Sequence, residues 1–282
     1  GWRVSSEGFW KNNVSFINYF KLKTSWGQMG NDAVNAFQYQ TLYAFNTGIV
    51  TGSSKGYSAS LLQAGTPNPN ITWEVANIFN DGFESLWLGS KIKWDFDAFY
   101  QRRTNILWKR DASVPDFTGI SLPDENFGIV DSKGFETVLG YSNKAGDFGY
   151  SVTGNVSFAR NKIVEYDEPE RTVDWQVRTG HPIGAILQYN YIGVFDDVAE
   201  YAATPHISDL YNGGAGGIMV EDYNKDGKIT SDDQILYDFT TTPEITYGLT
   251  IGLTWKNFSL NTLFQGVGNT WYRADFPIMG TW

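Results

Sequence analysis

The feature that most constrains this chain is a side-chain alternation with period two, which recurs along most of its length. In the stretch 91–101 the even positions are Ile, Trp, Phe, Ala and Tyr, whereas the odd positions are mostly Lys, Asp and Gln. Similar alternation occupies 20–27, 135–141, 148–158 and 247–264. Successive side chains of a β-strand point to opposite faces, so each segment predicts a strand with one apolar face. Helical spacing of apolar residues is not sustained, and the sequence therefore predicts an all-β fold.

Composition favours lipid as the surroundings of the apolar faces. Aromatic residues make up 16% of the chain and charged residues 18%, against about 25% charged in soluble domains. Aromatic girdles at two membrane interfaces use many Trp and Tyr side chains. No stretch reaches the roughly 20 consecutive apolar residues of a spanning helix, so passage through a membrane would need strands in a closed, antiparallel β-barrel. We count about ten candidate strands, many near the length that spans a bilayer.

The predicted strands are joined by connections of very unequal length. Short turns are predicted at 144–147 and 256–257, and long loops at 104–133, 164–184 and 196–244. Outer-membrane barrels place short turns on the periplasmic side and long loops outside the cell. A soluble sandwich or barrel with an ordinary core also explains the alternation, and it stays an alternative.

Several other function classes find no support in the sequence. The net charge is −10 with no long basic run, so nucleic acid is not an expected partner. Cysteine is absent, which excludes disulfides and thiolate metal sites. The two histidines, His181 and His206, stand apart in predicted loops, and the acidic pairs 167–168 and 196–197 read as ordinary loop residues. The sequence therefore predicts no catalytic site and no enzyme.

The segment 222–233 matches the calcium loop of an EF-hand. Its predicted ligands, at loop positions 1, 3, 5, 7 and 12, are Asp222, Asn224, Asp226, the Lys228 carbonyl and Asp233. Glycine at position 6 permits the tight turn, whereas aspartate at position 12 is shorter than the usual glutamate. The flanks lack the two amphipathic helices of a sensor, so the sequence predicts a structural calcium ion in an extracellular loop. An acidic turn without metal is the alternative.

Loop aromatic residues are candidates for contact with a substrate. Trp108, Phe117, Trp175, Tyr189 and Tyr191 could stack on sugar rings or on peptide side chains in a lumen. Packing within the loops is the alternative for each of them.

Several phrases, spread over nearly all the chain, resemble the C-terminal half of SusC/RagA-type TonB-dependent transporters. In chain order they are FINYFKLKTSWGQMGN at 16–31, PNITWE at 69–74, FYQRRTNIL at 99–107, NFGIVDSKGFE at 126–136, the acidic loop 222–233, TPEITYG at 242–248 and FQG at 264–266. Each phrase alone is a weak signal, and their order makes the set specific.

The resemblance implies that residues 1–282 are the C-terminal part of a transmembrane barrel of roughly 22 strands. The plug domain, the early strands and the last strands are then expected outside this chain, and the wall is expected to contact membrane lipid of the cell outer membrane. A SusD-like surface lipoprotein and a TonB complex, acting through an absent N-terminal segment, are the implied partners. The implied function is import of oligosaccharides or oligopeptides. A different outer-membrane barrel such as a porin, and a soluble secreted calcium-binding β module that binds glycans, are the other hypotheses.

Overall fold

The computed structural model describes residues 1–51, 56–63, 65–110, 122–207 and 214–272. Strands dominate the described part of the chain. In chain order they are β1 (Ile17–Asn31), β2 (Tyr43–Thr51), β3 (Gly56–Gln63), β4 (Glu74–Trp87), β5 (Ile92–Trp108), β6 (Glu125–Ala145), β7 (Phe148–Glu165), β8 (Ile186–Tyr189), β9 (Tyr191–Val194), β10 (Ile218–Val220), β11 (Gln234–Tyr237), β12 (Ile245–Trp255) and β13 (Phe258–Gly268). The α-helices are α1 (Gly8–Asn13) and α2 (Val198–Ala203), and single 3-10 turns lie at Val4–Ser6, Asp174–Gln176 and Ser231–Asp233.

The long strands form a seven-stranded antiparallel sheet in the order β1-β4-β5-β6-β7-β12-β13. Each strand pairs with the long strand that follows it in the sequence, which gives an up-and-down arrangement. The short strands pair separately, as β2 with β3, β8 with β11, and β9 with β10. This topology is that of the wall of an outer-membrane barrel, and the all-β prediction is confirmed.

Short and long connections lie at opposite ends of the sheet. The short turns are 88–91, 146–147 and 256–257, and the long connections are 32–73, 109–124 and 166–244. Gly146 and Lys256 adopt positive φ values of 62° and 52°, the conformation that tight hairpins require. The predicted turns at 144–147 and 256–257 are therefore confirmed. On the usual arrangement of outer-membrane barrels, the long connections face the extracellular side.

The predicted bounds of the long loops were wrong where strands continue past the alternating segments. The sequence predicts a loop at 104–133, yet β5 and β6 stay paired inside this segment as far as Trp108 and Glu125, and only 109–124 connects them. The pairing passes through an irregularity at Asn105, whose φ is 56°. A bulge inserts an extra residue, so the side chains after it point to the other face of the sheet. The alternation with period two is then lost in the sequence, although the strand continues. Likewise β7 extends to Glu165, and the predicted loop 196–244 contains α2, β10 and β11.

One face of the sheet, here called the apolar face, carries a continuous aromatic row. Phe20, Phe83, Phe96, Phe135 and Phe158 follow one another across five strands with ring centroids 5.6 to 6.1 Å apart. Above and below the row, large side chains stay exposed, and Trp26 is 72% and Phe264 58% accessible. The exposure of these side chains shows that no second sheet of the described residues covers this face. An uncovered aromatic face is what a lipid-facing wall presents, whereas a soluble core would bury it.

The opposite face, here called the polar face, holds ion pairs. Lys23 lies 2.9 Å from Asp97 and 3.5 Å from Glu84, and Lys93 lies 2.9 Å from Asp95. These charges come from the positions between the aromatic residues of the same strands. The two faces thus differ as the alternation predicted.

Every helix in the described part of the chain is too short or too polar to cross a lipid bilayer.

Candidate functional site

The described parts of the connection 166–244, here called the long loop, form a folded unit at the end of the sheet. The β8–β11 and β9–β10 pairs bring its distant segments together. Four of its apolar side chains are buried, namely Ala185, Phe195, Val220 and Leu236. All of the acidic-loop candidates and three of the aromatic candidates lie in this unit, so it is the candidate site.

The acidic loop closes on itself through its own side chains. Asp222 accepts hydrogen bonds from the amides of Asp226 and Gly227, at 3.2 and 2.8 Å. Asn224 Oδ1 accepts from the Asp226 amide at 3.0 Å, and Asp226 accepts from the Lys228 amide at 2.8 Å. The structure thus brings the first three predicted ligands around one tight turn, which is completed by Gly227 with a φ of 85°.

Asp233 has a different position from the other predicted ligands. Its side chain is fully buried, and its Oδ1 accepts from the amides of Tyr223 and Asn224 at 2.9 and 3.2 Å. Its Oδ2 accepts from the Thr230 amide at 2.7 Å. Asp233 therefore ties both ends of the loop together from the inside. In the part of the chain that the structure describes, no three His, Cys, Asp or Glu side chains converge on one metal position.

The donor chemistry still suits a hard cation at the first part of the loop. Calcium takes carboxylate, amide and backbone carbonyl oxygens, and Asp222, Asn224, Asp226 and the Lys228 carbonyl supply these types. The calcium site stays a prediction, with Asp233 as a brace of the loop in this arrangement.

Two of the aromatic candidates pack within the protein. The Trp175 ring meets Tyr223 edge-on at 5.0 Å, and its Nε1 donates to the Asp232 carbonyl at 2.9 Å. Trp108 packs on Tyr166 with the ring centroids 5.2 Å apart. These contacts are those of side chains that hold loops in place. Phe117 lies outside the described residues.

The other two candidates, Tyr189 and Tyr191, line a cavity of about 500 Å³ in the long loop. Phe195, Tyr201 and His206 also line the cavity, and Tyr201 lies on His206 with the ring centroids 3.9 Å apart. Aromatic walls of this kind fit the apolar faces of sugar rings or apolar peptide side chains. Sequence reasoning missed the last three residues because no periodicity connects them. Tyr201 lies on α2 and packs edge-on against Phe195, with the ring centroids 5.1 Å apart.

The acidic pairs of the long loop serve its structure. Glu168 accepts hydrogen bonds from the amides of Arg178 and Thr179 at 2.7 and 3.0 Å, and from the Thr179 hydroxyl at 2.8 Å. Partial burial opposes the charge on Glu168, but these hydrogen bonds outweigh it and hold its pKa below the usual value. Asp197 caps α2 by accepting from the Glu200 amide at 2.8 Å.

The histidines also have structural contacts. His181 Nδ1 lies 2.6 Å from Asp238, and His206 Nδ1 lies 2.8 Å from the Thr204 carbonyl. They do not face each other across one site.

The uncovered apolar face, the sequential antiparallel strands and the unequal connections define the wall of an outer-membrane β-barrel. Comparison with known proteins agrees with this class. No protein-family model matches the chain. It is 26% identical to the TonB-dependent receptor P26 of Formosa agariphila over 290 aligned residues. This alignment covers 96% of this chain and 28% of that protein. It is 24% identical to the TonB-dependent receptor SusC of Bacteroides thetaiotaomicron, over 98% of this chain and 27% of that protein.

Solved structures give the same result for the fold. The RagAB peptide transporter superposes with a TM-score of 0.67 at 18% identity, over 94% of this chain and 28% of that chain. The RagAB peptide importer in its open-open state superposes with a TM-score of 0.69 at 17% identity, over 95% and 28% of the two chains. The chain thus spans 28% of the length of P26 and 27% of the length of SusC.

These likenesses confirm the recognition made from the sequence, because the relatives are TonB-dependent receptors and include SusC itself. The chain forms strands of an outer-membrane β-barrel and lies in the cell outer membrane. Together with the uncovered apolar face, this sets aside the soluble secreted module. The relatives are named as receptors and transporters, not as enzymes.

Proposed function

We propose that the full-length protein imports oligosaccharides or oligopeptides across the outer membrane, with energy delivered by a TonB complex. The observation that carries the proposal is the likeness to TonB-dependent receptors over 96% of this chain. The aromatic cavity of the long loop adds support for a substrate with apolar ring faces or side chains. Oligosaccharides are the first expectation, because the described residues that line the cavity with Tyr189 and Tyr191 include no Asp, Glu, Lys or Arg.

The two substrate classes are separated by uptake assays in the native bacterium. A strain lacking the gene is compared with its parent for uptake of labelled oligosaccharide pools and labelled peptide pools. We expect loss of oligosaccharide uptake, and loss of the same uptake in the parent after a protonophore removes the energy source of TonB. Equal uptake of both pools by the two strains would refute the import function, and loss of peptide uptake alone would assign the peptide class.

A SusD-like surface lipoprotein is the proposed partner at the extracellular side. The name of one relative, SusC, and the two-component RagAB neighbours support this proposal. Affinity purification of the full-length protein from mild detergent should recover a lipoprotein at a 1:1 ratio. Recovery of the barrel protein alone, under conditions that keep its fold, would contradict the partner.

Calcium is proposed as a structural ion of the long loop, held by Asp222, Asn224, Asp226 and the Lys228 carbonyl. The arrangement of these groups around one tight turn supports the site. Terbium luminescence excited through nearby Trp or Tyr should appear in the wild type and be lost in Asp226→Ala. Asp232→Ala is the matched control, since this side chain makes no hydrogen bond to the described residues. An unchanged signal in Asp226→Ala would remove the site.

The cavity is proposed to hold part of the substrate through Tyr191, which is 62% exposed. Truncation of one stacking ring typically weakens a contact by a factor of roughly ten at most. We therefore expect Tyr191→Ala to weaken binding of the imported oligosaccharide by up to roughly tenfold in calorimetry. Ile192→Ala is the control, because the neighbouring position of β9 points away from the cavity. Equal affinity of the two variants would show that the ring takes no part.

A further inference from the structure

A group of basic residues lies on the apolar face and begins one row beyond the aromatic row of Phe135 and Phe158. On strands β5, β6 and β7 this group consists of Arg102, Lys133, Arg160 and Lys162, here called the basic cluster. The pairing register places Tyr100 opposite Lys133 and Lys133 opposite Arg160. In the next row, Arg102 lies opposite Asp131, and Asp131 opposite Lys162. Because Phe135 and Phe158 are two residues away from Lys133 and Arg160, all of them share the apolar face.

The two arginines of the basic cluster are fixed by carboxylates. Arg102 donates to both oxygens of Asp131 at 2.7 and 2.8 Å. Arg160 donates to both oxygens of Glu244 at 2.7 Å, and Glu244 is 5% exposed. Bidentate pairs of this geometry hold the guanidinium groups in place.

The two lysines of the basic cluster supply its excess positive charge. Lys133 and Lys162 are exposed, and no carboxylate of the described ranges lies within 4.0 Å of either amine. Lys133 lies directly opposite Arg160, and like charges at such positions, with Cβ atoms about 5 Å apart, repel each other. Asp238 is a third carboxylate close enough to act on the charge of Arg160. Four positive and three negative charges therefore leave this small area with a net positive charge, which an anion outside the protein would offset.

The basic cluster occurs at one end of the apolar face only. At the short-turn end, the corresponding strand positions carry Phe148, Tyr150, Trp255 and Phe258. Lys256 lies nearby in a turn, 5.3 Å above the ring of Trp255. The excess charge is thus confined to the side of the long connections, which is the extracellular side. There the outer leaflet of the outer membrane is made largely of phosphorylated glycolipid.

We propose that Lys133 and Lys162, flanked by the fixed guanidinium groups of Arg102 and Arg160, bind a phosphate of an outer-leaflet glycolipid. The acyl chains of that lipid lie along the aromatic row of Phe135 and Phe158, and its headgroup lies at the level of Tyr100 and Lys133. Long lysine side chains suit this position, because their stems cover apolar surface while the amine reaches the headgroup layer. Basic clusters at a membrane surface attract anionic lipid headgroups through the same electrostatics.

The test measures glycolipid that stays bound to the full-length protein after purification from outer membranes. Native mass spectrometry should find bound phosphorylated glycolipid on the wild type. The double variant Lys133→Gln/Lys162→Gln should lose affinity by about fivefold for each lysine, or roughly 25-fold in all. The control Lys91→Gln/Lys144→Gln removes the same charge at the short-turn end and should bind as the wild type does. Lys133→Arg/Lys162→Arg keeps the charge and should keep the lipid.

Further arms distinguish the source of the phosphate and protect the test against misfolding. Glycolipid stripped of phosphate should not exchange onto the wild type in nanodiscs, and inorganic phosphate at the same concentration should not displace the phosphorylated form. Assembly of each variant is checked by its heat-modifiable migration in gels, and the arginine variant serves if the glutamine variant fails to assemble. Equal glycolipid on the wild type and the assembled glutamine variant would overturn the proposal, as would loss from an assembled arginine variant. The readout is independent of substrate uptake, so failure of the proposed import function would leave it unchanged.

Discussion

The seven-stranded sheet and the long loop are stabilised in opposite ways. The sheet leaves rings such as Trp26 and Phe264 exposed, and its backbone ladder pairs each strand with the next long strand of the sequence. The long loop buries Phe195, Leu236 and the carboxylate of Asp233, and side chains satisfy its backbone amides. The sheet therefore depends on lipid for its apolar contacts, whereas the loop carries a small core of its own.

This difference teaches where each kind of substitution should act. In the sheet, the face on which a side chain lies decides its effect, because one face meets hydrocarbon and the other meets polar groups. In the loop, the partner of a side chain decides its effect, because buried donors and acceptors must be paired.

The largest effect is expected for an arginine on the apolar face. Leu139 lies between Trp94 and Gly154 near the middle of the sheet, so Leu139→Arg should destabilise the barrel by about 2–4 kcal/mol. The matched variant is Val138→Arg, one residue earlier on the polar face and opposite Asp95. Val138→Arg should lower the free energy of unfolding by no more than about 0.5 kcal/mol. Folding of the full-length protein into bilayers at increasing denaturant measures the stability of both variants. Equal destabilisation by Leu139→Arg and Val138→Arg would contradict the difference between the two faces.

A smaller and local effect is expected in the long loop. Asp233→Ala leaves the amides of Tyr223, Asn224 and Thr230 without their acceptor, which should cost the loop about 2 kcal/mol. Faster hydrogen exchange and proteolysis within 222–233 should follow, while the sheet stays protected. Asp232→Ala should leave exchange unchanged. If Asp233→Ala also loosened the sheet, the loop would not be the separate unit described above.

On the polar face, removal of one charge should matter little. Lys23→Met breaks contacts with Asp97 and Glu84, but half-exposed ion pairs contribute only about 0.5 kcal/mol. Lys91→Met in a neighbouring turn is the comparison. If Lys23→Met lowered the free energy of unfolding by more than Val138→Arg does, the ion pairs would stabilise the wall more than their polar surroundings suggest.

The smallest effect concerns acid. The pKa of Glu168 is held below its usual value of about 4.3. Its contacts with Arg178 and Thr179 therefore stabilise the loop above that pH, and this stability is lost as pH falls through the lower pKa of the folded protein. Pepsin should cleave Glu168→Gln faster than the wild type near pH 5, and the two should converge at lower pH. A difference that does not depend on pH would assign the effect to something other than the charge of Glu168.

The sequence predicted much of the sheet and less of the site. Alternation located segments of all seven long strands except β4, and the residues at 256–257 located a hairpin. It failed beyond Asn105, where a bulge removes the alternation while pairing continues. In the long loop, the spacing of Asp222, Asn224 and Asp226 predicted a shared turn, but the burial of Asp233 could not be read from spacing.

By itself, then, the sequence determined which side chains share a face of a strand, because strand geometry fixes that with a period of two residues. It also determined the local turns, since they depend on residues only a few positions apart. Only the tertiary structure decided that Lys133 lies opposite Arg160, that Tyr201 and His206 join Tyr191 around one cavity, and that Asp233 turns inward. None of those contacts follows from a local repeat of the sequence, because each depends on how one segment is placed against another by the strand register or by the packing of the long loop.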